Sequence, residues 1–274
     1  PSALSTAEGW KTAKHGLCRR ILLQKGLKVA NAKEMEQLSH ILRILSPEGP
    51  IRVAKCYALE NSRLLTLFDA NNSFLEAKLK GYATEQPKWA TQDPTGARTE
   101  TNQVLEYFGG KCAWNKDKSL KILPMIFFAS EDKLQAVEAE GFDKSQENSE
   151  GPYGAGYYLS RSLEEARYKT NNGPFIIAFA APGRVYPTIE QPINPAATSQ
   201  DKKGRASVGA APATLWGKPV KDGYDAHFVR TCGSTKDDPS AGKVFHAGWQ
   251  GSEWDQLVLF SMVQAVPRYL VYLE

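Results

Sequence analysis

The stretch Gly154-Ala155-Gly156-Tyr157-Tyr158-Leu159-Ser160, followed ten residues after Tyr158 by Tyr168, is the part of the sequence on which the fold turns. Ser162 stands three residues ahead of Glu165. That is the capping-box pattern, in which a hydroxyl takes a backbone N–H and the acid returns to the cap residue's own N–H, so a helix is expected to start at Ser162. A Gly-x-Gly pair alone is weak evidence for any function. Ser160 does not sit in a Gly-x-Ser-x-Gly elbow, and no Gly-rich stretch leads into Lys-Ser or Lys-Thr. Serine-hydrolase and P-loop chemistry therefore have no support.

On both sides lie strand-length apolar runs bounded by Gly, Pro or polar residues: 120–128, 174–180, 256–260 and 268–273. One further short helix is expected at 131–140. Residues 182–251 are rich in Gly, Pro, Ala and Lys with few periodic apolar positions, which predicts long loops around the sheet. The first third reads as helical. In 31–45, Ala32, Met35, Leu38, Leu42 and Leu45 recur at spacings of three and four and share one face, and Pro47, Gly49 and Pro50 end the run. A second helix over 62–80 carries Leu65, Phe68, Leu75 and Leu79, with Asn71 and Asn72 as a candidate turn inside it. Residues 81–101 shift to Pro, Thr, Gln and Gly and read as a connector. There is no internal repeat. The expectation is an α+β chain with a helical N-terminal segment over 1–50 joined to a loop-rich, sheet-based part over 51–274.

At 274 residues the chain suits one large domain, or a domain with a helical lobe, because a single core stops growing near about 250 to 300 residues. Hydrophobic residues make up 42% and charged residues 23%, with six Trp, eleven Tyr and eleven Phe, so a packed core is expected and disorder throughout is excluded. No apolar run approaches the roughly 18 residues of a membrane helix, and 1–10 lack a signal-peptide layout, which predicts a soluble chain without a membrane partner. Cys18, Cys56, Cys112 and Cys232 are far apart, fitting neither a disulfide framework nor a zinc site, so cytoplasm or nucleus is the expected compartment. His15, His40 and His227 share no ligand spacing with them, so no metal is expected. Net charge is +4, and the densest basic patch, Lys202, Lys203 and Arg205 with Lys218 and Lys221, reads as a solvated loop with little support for nucleic acid. His246 beside Trp249 reads as polar surface.

The segment 154–168 resembles the signature of poly(ADP-ribose) polymerase-type ADP-ribosyltransferases, in which a Gly-x-Gly-x-Tyr-Phe-Ala strand leads into a short helix bearing a second Tyr. Further segments resemble the same family in the same order. Met125-Ile126-Phe127-Phe128-Ala129-Ser130 is similar to its Leu-Phe-His-Gly-Thr/Ser strand end, and Gly141-Phe142-Asp143 to its Gly-Phe-Asp. Gln264-Ala265-Val266-Pro267-Arg268-Tyr269-Leu270-Val271 is similar to its closing Gln-x-x-Pro-x-Tyr-Leu-Ile strand. More loosely, 53–80 with Asn61 ahead of Leu64 and Leu65, and Asp225-Ala226-His227-Phe228-Val229 in place of a His-Ser-Val loop, extend the likeness over roughly 53 to 274. The resemblance implies an ADP-ribosyltransferase fold of two packed, antiparallel-rich sheets with short helices and long loops, and NAD⁺ as cosubstrate.

Such a site clamps both ends of NAD⁺ and places negative charge near the cation that develops as nicotinamide leaves. In the family a His holds the adenosine ribose, a Tyr stacks on the nicotinamide, a Gly backbone and a Ser bind its carboxamide, and a Glu bonds the neighbouring ribose. By resemblance the His position falls on Phe128, where a ribose hydroxyl would lose its partner at about 1–3 kcal/mol. The Gly position falls on Ala129, the two tyrosines on Tyr158, the ring expected to meet the dinucleotide at the catalytic centre, and Tyr168, and the Ser on Glu165, whose expected role is a helix-start acid bonding the backbone of Ser162. The catalytic Glu falls on Gln256, which bonds a hydroxyl but supplies no charge. Glu253 and Asp255 are nearby acids, but strand alternation puts 254, 256 and 258 on one face and 253 and 255 on the other. A bulge or register shift would be needed to bring either into the site.

Changes at the ribose, carboxamide and carboxylate positions together imply a degenerate NAD⁺ site and an inactive or weak pseudoenzyme acting through binding to a protein, nucleic-acid or modified partner. The alternative implied by the resemblance is an active mono-ADP-ribosyltransferase acting on a protein or nucleic-acid acceptor.

Overall fold

A computed structural model describes residues 27–46, 51–82, 97–116, 118–188, 215–231 and 254–274. In chain order these form β1 (Leu27–Val29), α1 (Ala32–Leu45), β2 (Val53–Leu59), α2 (Ser62–Tyr82), α3 (Ala97–Lys111), β3 (Leu123–Phe127), α4 (Glu131–Glu140), β4 (Tyr157–Ser160), α5 (Leu163–Thr170), β5 (Phe175–Ala180), β6 (Val185–Thr188), β7 (Ala226–Val229), β8 (Gln256–Leu259) and β9 (Ala265–Leu273). The architecture is α+β. The described strands lie in one sheet in the order β1-β2-β9-β5-β3-β4-β8-β7-β6, with β6 and β7 parallel and the other pairs antiparallel.

The centre of the sheet is built from strands that are apolar on both faces. Ile126 of β3, Ile176 and Ile177 of β5 and Val271 of β9 are fully buried, as expected of strands covered on both sides. Pro267 lies inside β9, where a proline cannot donate to the ladder. The register accommodates it: Ile177 pairs with Tyr269 but Ala178 with Pro267, so the ladder shifts at Arg268. Helix α1 lays Leu38, Ile41, Leu42 and Leu45 into the same core that these strands line. Its start is a complete capping box, with Asn31 Oδ1 accepting from the Glu34 N–H and Glu34 returning to the Asn31 N–H. Helix α2 buries Phe68 and Leu75 against Leu120, Ala181 and Val266 in a second cluster.

The sheet has a seam. Strand β3 makes five register pairs with β5 but meets β4 at one, Ile126 with Ser160. Strand β4 in turn makes four pairs with β8. The strands thus fall into a five-strand group ending at β3 and a four-strand group starting at β4.

Several expectations need correction. The described strands are linked into one nine-stranded sheet, whose two groups meet at the single β3–β4 pair. Helix α2 runs through Asn71 and Asn72 without a turn, because the stripe of Leu65, Phe68, Leu75 and Leu79 stays in register with its apolar support. Helix α3 begins at Ala97, inside the stretch read as a connector; Thr101, Val104, Leu105 and Phe108 supply a buried or half-buried face at helical spacing. The first third also carries two strands, β1 and β2, where only helix was expected. Residues 225–229 form β7 from Ala226 onward instead of a loop, and β6 is likewise a strand within the expected loop region. The expected helix at 131–140 and the strands at 120–128, 174–180, 256–260 and 268–273 match α4, β3, β5, β8 and β9 to within a few residues. No helix among the described residues is long and apolar enough to cross a membrane.

Ile177 is fully buried between β3 and β9. Its truncation to Ala should cost about 2–5 kcal/mol in a urea-unfolding measurement, and a loss below about 1 kcal/mol would show that the site is not the packed centre described.

Candidate functional site

The register of β4 against β8 sorts the motif's side chains. Tyr157 pairs with Leu259, Tyr158 with Val258, Leu159 with Leu257 and Ser160 with Gln256. Side chains alternate along a strand, so Tyr157 and Leu159 enter the main core, where the Tyr157 ring meets Phe142 edge-on at 6.2 Å. Tyr158 and Ser160 take the opposite face. The two glycines before them are there for space. Gly154 has φ 124°, and a Cβ on Gly156 would lie 2.4 Å from the Leu259 carbonyl oxygen.

Tyr158 acts as a clasp. Its hydroxyl accepts from the Tyr153 N–H at 2.9 Å and donates to the Gly154 carbonyl at 2.8 Å, closing the preceding loop over its own ring. The ring packs with Tyr153, Val229, Val258 and Phe260. Burial raises the phenol well above its ordinary range. Fully buried His227 fixes the same loop. Its Nε2 accepts from the Lys221 N–H at 2.9 Å, which leaves Nδ1 to donate to the Tyr153 carbonyl at 2.7 Å in the neutral ring.

At the seam itself sits an internally bonded group. The Glu165 carboxylate accepts from Ser160 Oγ at 2.6 Å and from Gln256 Nε2 at 3.0 Å, and Glu165 is only 2% exposed. Ser162 does cap the helix, its hydroxyl accepting from the Glu165 N–H at 3.1 Å. The reciprocal half of the capping box is missing, which corrects the expectation for Glu165. The Ser162 N–H goes to Ser160 Oγ at 2.9 Å instead, freeing the acid to cross to β8. Burial pushes the Glu165 carboxyl up to about 7, opposed in turn by the bonds from Ser160 and Gln256. This acid can therefore hold or release a proton near neutrality.

One turn further along α5, Tyr168 meets Trp254 with ring centroids 5.4 Å apart at 42°. Tyr168 is 47% exposed and Trp254 4%, with Lys169 Nζ 5.6 Å above the indole. Helix α5 is thus joined to the start of β8 by two rungs, Glu165 to Gln256 and Tyr168 to Trp254. Asp255, fully buried between them in sequence, goes elsewhere: its carboxylate lies 2.9 Å from the Arg161 guanidinium and 3.6 Å from Nε of Arg230. That fits the alternation argument, and β8 shows no register shift against β4. Phe128 and Ala129 leave β3 just beyond the seam, half-buried against the main core.

The structure therefore brings Ser160, Glu165 and Gln256 together and sets Tyr158 and Tyr168 on either side of them, while Phe128 and Ala129 stand at the end of the neighbouring strand. The roles of Ser160, Trp254, Arg161 and Arg230 were missed from sequence, and Asp255 was weighed only as a nearby acid without its two arginine partners. Trp254 was accessible to the alternation rule, since it shares parity with Gln256; Arg230 gave no signal. Glu253, His246, Trp249, His15, Cys18, Cys232 and the Lys202–Lys203–Arg205 patch lie outside the described residues. His40 bonds the Lys111 carbonyl at 2.9 Å, and no group of metal-ligating side chains occurs among the described residues.

No protein-family model matches this chain, and no curated protein matches it significantly.

Tyr158→Phe strands the Tyr153 N–H and weakens the Gly154 turn, so thermal or urea unfolding should show a loss of about 1–3 kcal/mol. Tyr168→Phe, at a half-exposed ring, should stay within about 0.5 kcal/mol of wild type in the same assay. Equal costs for the two would remove the clasp.

Proposed function

We propose that this chain is an ADP-ribosyltransferase-fold domain of the poly(ADP-ribose) polymerase type whose NAD⁺ site is degenerate, and that it works as an inactive or weak pseudoenzyme through binding. The observation that carries this reading is the Ser160–Glu165–Gln256 group. Groups that would meet a nicotinamide ribose and carboxamide bond one another instead, so a dinucleotide entering here would have to break a buried carboxylate's contacts. Two further features support it. Phe128 offers an adenosine ribose no donor or acceptor, and one face of Tyr168 is met by the chain's own Trp254. The partner class is a protein, with nucleic acid less supported, and the buried thiols of Cys56 and Cys112 suit a nuclear or cytoplasmic setting.

A second reading is an active mono-ADP-ribosyltransferase using NAD⁺ as cosubstrate. It is favoured by one observation: a carboxylate does stand 3.0 Å from the Gln256 amide, on Glu165. Such a charge could stabilise an oxocarbenium-like transition state if Glu165 were reached by substrate.

Calorimetric titration of the chain with NAD⁺ separates the two. The pseudoenzyme reading predicts no heat at millimolar ligand. Clear micromolar binding would reject it, and transfer of a single labelled ADP-ribose unit would establish the second reading.

A further inference from the structure

Glu165 and Gln256 have a property that neither residue has alone. While Glu165 is ionised it only accepts hydrogen bonds, so in that state its Oε1 is met by the Gln256 amide nitrogen. An amide is planar, with its oxygen and nitrogen diverging from one carbon. Fixing Nε2 on Glu165 therefore turns Gln256 Oε1 away from it. Glu165 is 2% exposed and Gln256 half-buried, so the accessible end of the pair belongs to Gln256.

The same geometry disfavours a second ionised acid. A carboxylate at 256 would put two anionic oxygens at hydrogen-bond distance in a site nearly closed to water, where like charges cannot both ionise. The other charged groups facing Glu165 do not relieve this. Lys169 on α5 favours the anion, while Asp255 opposes it and is itself paired with Arg161 and Arg230. Ser160 Oγ already gives its hydrogen to Glu165 Oε2 and takes the Ser162 N–H.

We propose that Glu165 and Gln256 form a one-charge unit across α5 and β8, in which Glu165 is the positioning residue: once ionised, it holds the Gln256 amide with its carbonyl oxygen outward and disfavours a second ionised carboxylate at position 256. The amide at 256 is then matched to the acid at 165, and an ionised acid is tolerated at 256 only when the one at 165 is removed. The unit presents a fixed acceptor to whatever partner meets this face, backed by a charge the partner does not touch.

The test compares wild type, Gln256→Glu, Glu165→Gln and the exchange of both by thermal unfolding between pH 5 and 8. Folding raises the Glu165 carboxyl above its unfolded value, so its favourable share is full below about pH 4.5 and is lost as pH rises to about 7. Glu165→Gln should therefore gain on wild type as pH rises. Gln256→Glu should lose on wild type over the same range, its unfolding equilibrium constant at pH 8 rising about tenfold or more. The exchanged pair should recover most of that loss. An exchange as unstable at pH 8 as Gln256→Glu alone overturns the proposal.

A second measurement needs no exchanged protein. The side-chain NH₂ resonances of Gln256, identified by their disappearance in Gln256→Ala, should move with one midpoint near 7 in wild type and lose that titration in Glu165→Gln. Gln256 signals indifferent to Glu165→Gln from pH 5 to 9 overturn the proposal. None of these readouts uses NAD⁺, so their failure leaves the dinucleotide reading intact, and a positive NAD⁺ titration leaves the coupling intact.

Discussion

The contact between β3 and β4 at Ile126 and Ser160 constrains everything built around it. Two groups of strands, each well laddered internally, touch there through one register pair. Past that point the backbones part, and the polar atoms of the parting strands need partners that a continuous ladder would have supplied. Ser160 answers this need in three directions: its backbone holds the ladder to β8, its hydroxyl takes the Ser162 N–H, and it gives a hydrogen to Glu165. Helix α5 is placed by those bonds. Its first turn delivers Glu165 to β8, and its last turn delivers Tyr168 to Trp254.

A buried acid at such a place costs free energy unless it is fully hydrogen-bonded or protonated. Here both carboxylate oxygens have donors, and the remaining desolvation shows as a carboxyl pushed up to about 7. The neighbouring acid follows another route, since Asp255 is held by the guanidiniums of Arg161 and Arg230. Two buried acids thus meet different partners, one a hydroxyl and an amide and the other two guanidiniums. In the proposed reading, the first of these takes up the Gln256 amide that a dinucleotide would need, and the second holds Arg161 in the turn that leads into α5.

Much of this was legible in the residues. The runs at 174–180 and 268–273 gave themselves away as mostly apolar stretches of strand length, and 131–140 stood out between such runs as a short helix. Alternation separated Asp255 from Gln256 correctly, since a period of two needs no knowledge of neighbours. Other elements were hidden for definite reasons. Strand β2 carries Lys55 amid its apolar residues and faces an edge partner of three residues, so its pattern is mixed. Strands β6 and β7 are four residues long within a Gly- and Pro-rich region. Asn71 and Asn72 suggested a break that the packing of Phe68 and Leu75 overrode. The partners of Glu165 were beyond sequence altogether, because they depend on the β4–β8 register and on the missing half of a capping box.

The central claim is that the polar groups at the seam are committed to one another and leave no place for a dinucleotide. Its most direct test is a crystal structure of the chain grown in millimolar NAD⁺. The account predicts Glu165 still bonded to Ser160 and Gln256, with no dinucleotide density between Tyr168 and β8. Nicotinamide resting on Tyr168, with its ribose hydroxyl on Gln256 or Glu165, would contradict it.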